Sequence, residues 1–194
     1  YCSWEGAVSG SYYGSFMDQA DADSRITNVP HDPALPVITA WDLGIGDATA
    51  IWFIQHIGKE VRAIDYEEAS GEGLAYYVKL LKDKPYNYAY HIMPHDVRVH
   101  ELGTGKSRYE IAQSLGLKPI TIARKLPVDD GINAVRALIP RMWFDKRRCS
   151  VGIDALRAYR KEYDDMHKCY KNKPLHDWTS HGADSLRMFA VGVQ

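Results

Sequence analysis

The sequence predicts an α/β domain in which a mixed sheet carries helices on both faces. Three observations support this prediction. Three apolar, strand-like runs follow one another through short connections, later strands alternate with helical segments, and 194 residues suffice for one domain with a substantial core. Hydrophobic residues make up 45% of the chain and charged residues 25%, as is usual in globular proteins.

The first three strands are predicted from short apolar runs at residues 37–41, 48–56 and 60–66. Their short connections indicate an antiparallel meander. Residues 1–36 contain three prolines and a stretch rich in Gly, Ser and Tyr, so we expect an irregular lead-in there. This lead-in is interpreted as a linker from an upstream domain that the sequence lacks, and the folded domain is predicted to span residues 37–194.

A helix is predicted over residues 73–82, because apolar residues recur there at the spacing i, i+3, i+4, i+7. The remaining predicted elements are strands at 86–93 and 118–124 and helices at 107–115, 130–142, 153–165 and 179–191. Three antiparallel strands followed by alternating helices and strands are the order of the ribonuclease H-like fold. We therefore expect that fold, with a mixed sheet of five or more strands.

The string GTGKS at residues 103–107 is similar to the end of a phosphate-binding loop. That motif requires a glycine at position 100, where the sequence has His100, so the similarity is incomplete. The pattern Ser107-x-x-Glu110 instead predicts a capping box that opens a helix. Lys106 and Arg108 beside it are candidates for contacts with a DNA backbone.

Composition limits the remaining function classes. No apolar run approaches the roughly 20 residues that span a bilayer, and the three cysteines form no CxxC pair that would indicate zinc or a disulfide framework. Residues 141–173 contain ten Lys or Arg against five acids, although the net charge of the chain is only -1. This basic segment is either a solvated helix surface or a face that follows nucleic-acid phosphates.

Three aspartates are placed where metal chemistry would require them. Asp42 ends the first predicted strand, Asp96 follows the fourth, and Asp184 lies in the last helix. In the ribonuclease H-like order the first and fourth strands are neighbours, so Asp42 and Asp96 are expected to converge at one edge of the sheet. The order of the fold favours a site formed by all three acids. Convergent carboxylates bind hard divalent cations, and two such ions about 3.5–4 Å apart can hydrolyse a phosphodiester. The alternative is that each aspartate is a cap or a turn residue.

Further polar residues surround these positions. Asp47 is an additional candidate ligand or closes a hairpin turn, and His181 either supports the metal site or is a packed core histidine. Glu67 and Glu68 are expected to be solvated, and Asp177 is expected to cap the last helix.

Four strings together resemble the nuclease domain of large terminase subunits of tailed bacteriophages. They are VITAWDLGIGDATAIWFIQ, AIDYEEASGEGLAYY, MPHDVRVHELGTGKSRYE and HDWTSHGADSLRMFA, which lie in this order within residues 37–191. The resemblance implies a ribonuclease H-like endonuclease that cuts concatemeric double-stranded DNA during genome packaging. It implies Mg²⁺ or Mn²⁺ as cofactor, with two ions held by Asp42, Asp96 and Asp184.

The resemblance also implies partners. These are double-stranded DNA, an upstream ATPase domain of the same polypeptide, a portal or procapsid and the small terminase subunit, in the cytoplasm of the infected host and without a membrane. Some relatives carry two adjacent acids at the third position, whereas Ala183 precedes Asp184 here, which leaves the ligands of a second ion open. The alternatives are a resolvase-like or transposase-like nuclease of the same fold, and a catalytically silent docking module for the packaging motor.

Overall fold

The computed structural model describes residues 10–44, 47–100 and 105–193. The helices in these ranges are α1 (Gly14–Ala22), α2 (Leu74–Asp83), α3 (Arg108–Ser114), α4 (Val128–Leu138), α5 (Ser150–Ala158) and α6 (Trp178–Gly192). The strands are β1 (Ile26–Thr27), β2 (Val37–Asp42), β3 (Ala48–Ile57), β4 (Glu60–Ser70), β5 (Tyr88–Met93), β6 (Ile120–Ile122), β7 (Met142–Asp145), β8 (Lys161–Asp164) and β9 (Cys169–Pro174). Among the described residues, none of the helices is long and apolar enough to cross a membrane.

Seven strands form one mixed sheet in the order β1-β7-β4-β3-β2-β5-β6, and β8 and β9 form a separate hairpin. The strands β2, β3 and β4 pair antiparallel, as the short connections predict. The other pairs of the sheet are parallel. The predicted mixed sheet, with its antiparallel meander and more than five strands, is therefore confirmed.

Side chains of β2 alternate between two cores, one on each face of the sheet. Ile38 and Ala40 join the core beneath α1, α4, α5 and α6, which we call the α6 face. Val37 and Trp41 join the core beneath α2 and α3 on the opposite face. Because successive strand residues point to opposite faces, Asp42 lies on the α6 face with Ile38 and Ala40.

The N-terminal region contains regular structure that the sequence did not predict. Helix α1 lies within residues 1–36, and its Met17 is fully buried, as is Tyr13 just before it. The strand β1 extends the sheet by pairing with β7. The prediction of an irregular lead-in is therefore wrong for these residues, because burial against the α6 face stabilises a helix whose local pattern is weak. The linker role stays a prediction.

The C-terminal half also differs from the prediction. The helix predicted at 130–142 ends as α4 at Leu138, and the aromatic run that follows forms β7, which pairs with β1 and β4. The helix predicted at 153–165 ends at Ala158, after which the chain forms the hairpin of β8 and β9. The basic segment 141–173 is consequently a strand, a helix and a hairpin rather than one helical surface.

The capping box at the start of α3 is confirmed. The Ser107 hydroxyl accepts a hydrogen bond from the Glu110 backbone N–H at 3.2 Å, and the Glu110 carboxylate accepts one from the Ser107 N–H at 2.7 Å. This local pairing explains the sequence of the motif without a bound phosphate. Residues 101–104 of the string lie outside the described residues.

A buried polar chain connects β2 and β5 on the face opposite α6. The Trp41 indole N–H donates to the Thr39 hydroxyl at 2.7 Å, and that hydroxyl lies 2.6 Å from Nδ1 of His91. Burial lowers the pKa of His91 to about 4. The folded protein therefore keeps this imidazole neutral, whereas an unfolded chain protonates it near its ordinary pKa of about 6.5.

We expect this histidine to make the fold sensitive to acid. A base whose pKa is lowered by folding stabilises the protein above its unfolded pKa, and that contribution is lost as the pH falls from about 6.5 to about 4. Between pH 7 and pH 4.5 the wild type should lose about 2 to 3 kcal/mol more unfolding free energy than His91→Gln. Urea titrations of both proteins measure this difference, and equal losses would contradict the prediction.

Candidate metal centre at the carboxyl ends of β2 and β5

Two of the predicted aspartates lie at one edge of the sheet because β2 and β5 are parallel neighbours. Ala40 pairs with Ile92, so both strands end at the same level. Asp42 is the last residue of β2, and Asp96 lies in the 3-10 turn His95–Arg98 that follows β5. The predicted adjacency of the first and fourth strands is confirmed.

Helix α6 brings the third aspartate to this edge through two buried hydrogen bonds. The Ser185 hydroxyl donates to the Ala40 carbonyl at 2.7 Å, and the Trp52 indole N–H donates to the Gly182 carbonyl at 2.8 Å. A Cβ at position 182 would come within 2.9 Å of the Tyr66 hydroxyl oxygen, so the glycine permits the close approach. These contacts fix the turn that carries Asp184 over β2 and β3.

The negative charge of Asp42 acts on the carboxyl group of Asp184. Burial raises the pKa of Asp184 to about 6, Arg187 opposes this effect, and the negative charge of Asp42 adds to it. The side chain of Asp184 is 26% exposed. Asp184 is therefore a partly desolvated acid within electrostatic range of Asp42, and the metal site that the two would share stays a prediction.

Asp96 lies at the same edge but has a different partner. Its carboxylate is 3.8 Å from Nη2 of Arg108, whose Nη1 donates to the Leu43 carbonyl at 3.2 Å. Across residues 10–44, 47–100 and 105–193, no group of three or more His, Cys, Asp or Glu is arranged to hold a metal ion. The structure thus places Asp96 against an arginine, and the joint role of the three aspartates in a metal site stays a prediction.

Two histidines surround Asp47 beside this pair. The Asp47 carboxylate accepts from the Ala48 N–H at 2.8 Å and lies 3.1 Å from Nε2 of His181 and 3.2 Å from Nε2 of His176. Nδ1 of His181 is 3.7 Å from Asp42, and this contact raises the pKa of His181. His181 is therefore both a buried packing residue and a direct neighbour of the acids.

Glu68 is a site residue that the sequence analysis placed in solvent. It pairs with Ala50, which in turn pairs with Asp42, so these three positions form one row on the α6 face. The Tyr66 hydroxyl hydrogen-bonds its carboxylate. Glu67, one residue earlier, faces the other side of the sheet. The two-residue alternation of β4 could have distinguished the two glutamates.

The DNA-binding candidates have different environments. Lys106 is exposed, whereas the side chain of Arg108 is 13% exposed and contacts Asp96. In the basic segment, Lys171 and Lys173 of β9 both form ion pairs with Glu162 of β8. Part of the positive charge in this segment therefore stabilises the hairpin itself.

Comparison with known proteins identifies the fold. No protein-family model and no curated protein matches the chain. Among solved structures, the large terminase of a thermophilic bacteriophage matches with a TM-score of 0.69 and 14% identity over 90% of this chain. The P22 large terminase nuclease domain matches with a TM-score of 0.65 and 17% identity, covering 87% of each chain. The SPP1 g2p nuclease domain, solved with bound Mn, gives 0.60 and 17%, covering 79% of this chain and 84% of that one.

These matches show the class of fold: the chain has the ribonuclease H-like α/β fold that the order of its elements predicts. More particularly, its fold is that of the nuclease domains of phage large terminases, which confirms the resemblance at the level of the fold. The chain spans 44% of the length of the large terminase from the thermophilic bacteriophage.

The raised pKa of Asp184 gives a test of the site without metal. A carboxylate whose pKa is raised by folding does not lower the free energy of unfolding below its unfolded pKa of about 4. It lowers that free energy progressively as the pH rises from about 4 through about 6. In chelator at pH 7.5, Asp184→Asn should therefore be more stable than the wild type. We expect the unfolding free energy of the variant to be higher by about 1 to 2 kcal/mol, because the partial exposure of Asp184 weakens the electrostatic penalty.

Urea titrations in chelator at pH 4 and pH 7.5 measure this difference, which should disappear at the lower pH. An Asp184→Asn protein that is less stable than the wild type at both pH values would show that the carboxylate is a structural hydrogen-bonding group.

Proposed function

We propose that this domain is a divalent-metal-dependent endonuclease that cuts double-stranded DNA concatemers during viral genome packaging. One observation carries the proposal: Asp42 ends β2, Asp96 follows the parallel neighbour β5, and α6, which carries Asp184, is fixed on β2 by the hydrogen bond from Ser185 to Ala40. This arrangement occurs on the fold of the terminase nuclease domains. The proposal uses the SPP1 domain, which was solved with bound Mn, as a precedent for a metal in this fold.

The donor types at this edge suit a hard divalent cation, which would have to draw the separated carboxylates together. Carboxylate oxygens predominate, as Mg²⁺ and Mn²⁺ prefer. Burial is the main cause of the raised pKa of Asp184 and the charge of Asp42 adds to it, and a bound cation would offset both effects. Asp42 and Asp184 would hold the metal, Asp96 would join after leaving Arg108, and Asp47 is an additional ligand candidate. A pair of such ions supplies an activated water and neutralises the leaving oxygen.

The chain's own groups orient these ligands. His181 lies between Asp42 and Asp47, so its imidazole restrains both carboxylates. Glu68 and the hydroxyl of Tyr66 border the same face of the sheet. These contacts keep the acidic groups of Asp42, Asp47 and Glu68 at one end of the α6 face.

DNA would be held through its backbone. Lys106 is exposed beside the turn that contains Asp96, and the hairpin of β8 and β9 contributes further lysines. Contacts of this kind position phosphates and carry little sequence information. An ATPase domain would precede this one in the same polypeptide, as the greater length of the thermophilic-phage large terminase suggests. The small terminase subunit and a portal or procapsid would be the other partners, in the host cytoplasm.

A second function is favoured by one specific observation. Asp96 is paired with Arg108, and the described residues present no group of three metal-binding side chains. A domain that keeps this pairing when metal is added would be a catalytically silent module that docks the packaging motor.

Digestion of supercoiled plasmid distinguishes the two functions. We expect nicking and linearisation in Mg²⁺ or Mn²⁺ and none in chelator. Asp42→Asn should lower the rate by at least about 100-fold, because it removes a ligand from the acidic pair. A matched control is Asp83→Asn at the end of α2, which should cleave like the wild type.

The absence of cleavage in Mn²⁺ at high protein concentration would contradict the nuclease proposal and favour the docking module. Cleavage that persists in chelator would contradict the metal requirement.

A further inference from the structure

Two side chains hold the same oxygen of Asp184 from behind the acidic edge. The Tyr159 hydroxyl lies 3.4 Å from Oδ1, and Nη2 of Arg187 lies 3.2 Å from that same atom. Within the described part of the chain, both polar contacts of this carboxylate fall on Oδ1, which leaves Oδ2 for a cation. We propose that Tyr159 and Arg187 are positioning residues that orient Asp184 toward the metal. This inference rests on the proposed nuclease function.

Tyr159 is itself fixed by the segment at the start of α1. It directly follows α5 as the C-cap residue, and its carbonyl accepts from the Tyr12 N–H at 2.9 Å and from the Ser11 hydroxyl at 3.2 Å. The residue is 1% exposed, and its ring stacks on Tyr13, with ring centroids 5.5 Å apart and an interplanar angle of 21°. The region that the sequence predicts to be an irregular lead-in therefore holds a group that contacts Asp184.

Arg187 is fixed from the other side by α4. Its side chain is 17% exposed, and its stem passes over Gly131 near the start of that helix. A Cβ at position 131 would lie 2.4 Å from Cδ of Arg187. The glycine is unfavourable within a helix, and here it provides the space that the arginine needs. Contacts from α4 and from the segment before α1 thus fix the two groups, Arg187 and Tyr159, that lie near Oδ1 of Asp184.

Residues that orient a metal ligand affect metal affinity more than they affect folding. Removing the Tyr159 hydroxyl keeps the buried ring and frees Oδ1, so the carboxylate should sample more orientations. The neighbouring Tyr12 offers a matched comparison. Its ring centroid is 5.3 Å from that of Tyr159, it is 5% exposed, and its hydroxyl has no hydrogen-bond partner among the described residues.

The test compares Tyr159→Phe and Tyr12→Phe by calorimetric titration with Mn²⁺ in the absence of DNA, and by thermal melting in chelator. We expect Tyr159→Phe to weaken Mn²⁺ binding about tenfold, whereas Tyr12→Phe should stay within about twofold of the wild type. Both variants should melt within a few degrees of the wild type, because each keeps its ring. Gly131→Ala, which displaces Arg187 without touching the acids, should also weaken Mn²⁺ binding.

The outcomes separate this inference from the proposed function. A wild type that binds Mn²⁺, together with equal affinities for Tyr159→Phe and Tyr12→Phe, would overturn the positioning role and leave the nuclease proposal intact. A wild type that binds no Mn²⁺ would overturn both. A drop in affinity confined to Tyr159→Phe and Gly131→Ala, with unchanged melting in chelator, is the result that the inference requires.

Discussion

The docking of α6 on the sheet is the constraint on which the site depends. Ser185 and Trp52 make the two buried hydrogen bonds that fix this helix, and both are directional, so the helix cannot rotate or slide without leaving buried polar groups unpaired. Hydrophobic burial by itself would tolerate several rotations, because it is non-directional. The polar contacts select the rotation of α6 that carries Asp184 over β2 and β3.

The same constraint explains why the site is electrostatically unfavourable without metal. Asp184 is partly desolvated, and Asp42 adds a like charge, while Arg187 compensates only in part. The unfavourable burial of this carboxylate persists because the surrounding structure holds it in place. That structure is the core of the α6 face. His181 and Arg108 hold the neighbouring carboxylates of Asp47 and Asp96. In the proposed metal site, a divalent cation would take the place of these two side chains as the positive partner of the carboxylates.

The sequence predicts the parts of this structure that local patterns determine. The meander β2–β4, the capping box at Ser107 and the Asp177 cap of α6 follow from periodicity and helix-end chemistry. Helix α1 and strand β7 could not be predicted in the same way, because burial against other elements stabilises them. The adjacency of Asp42 and Asp96 at one edge of the sheet followed from topology. The contact of Asp96 with Arg108 could not be predicted, because it depends on the positions of two side chains that local sequence patterns do not determine.

The central claim is that Asp42 and Asp184 form one divalent-metal site at the end of β2. A crystal of this domain soaked in Mn²⁺, with anomalous scattering recorded for the metal, tests it most directly. The account predicts an anomalous peak about 2.0–2.3 Å from a carboxylate oxygen of each of the two aspartates, with Asp96 turned from Arg108 toward the ion. A peak bound elsewhere, or crystals that take up no Mn²⁺ while Asp96 keeps its arginine, would contradict it.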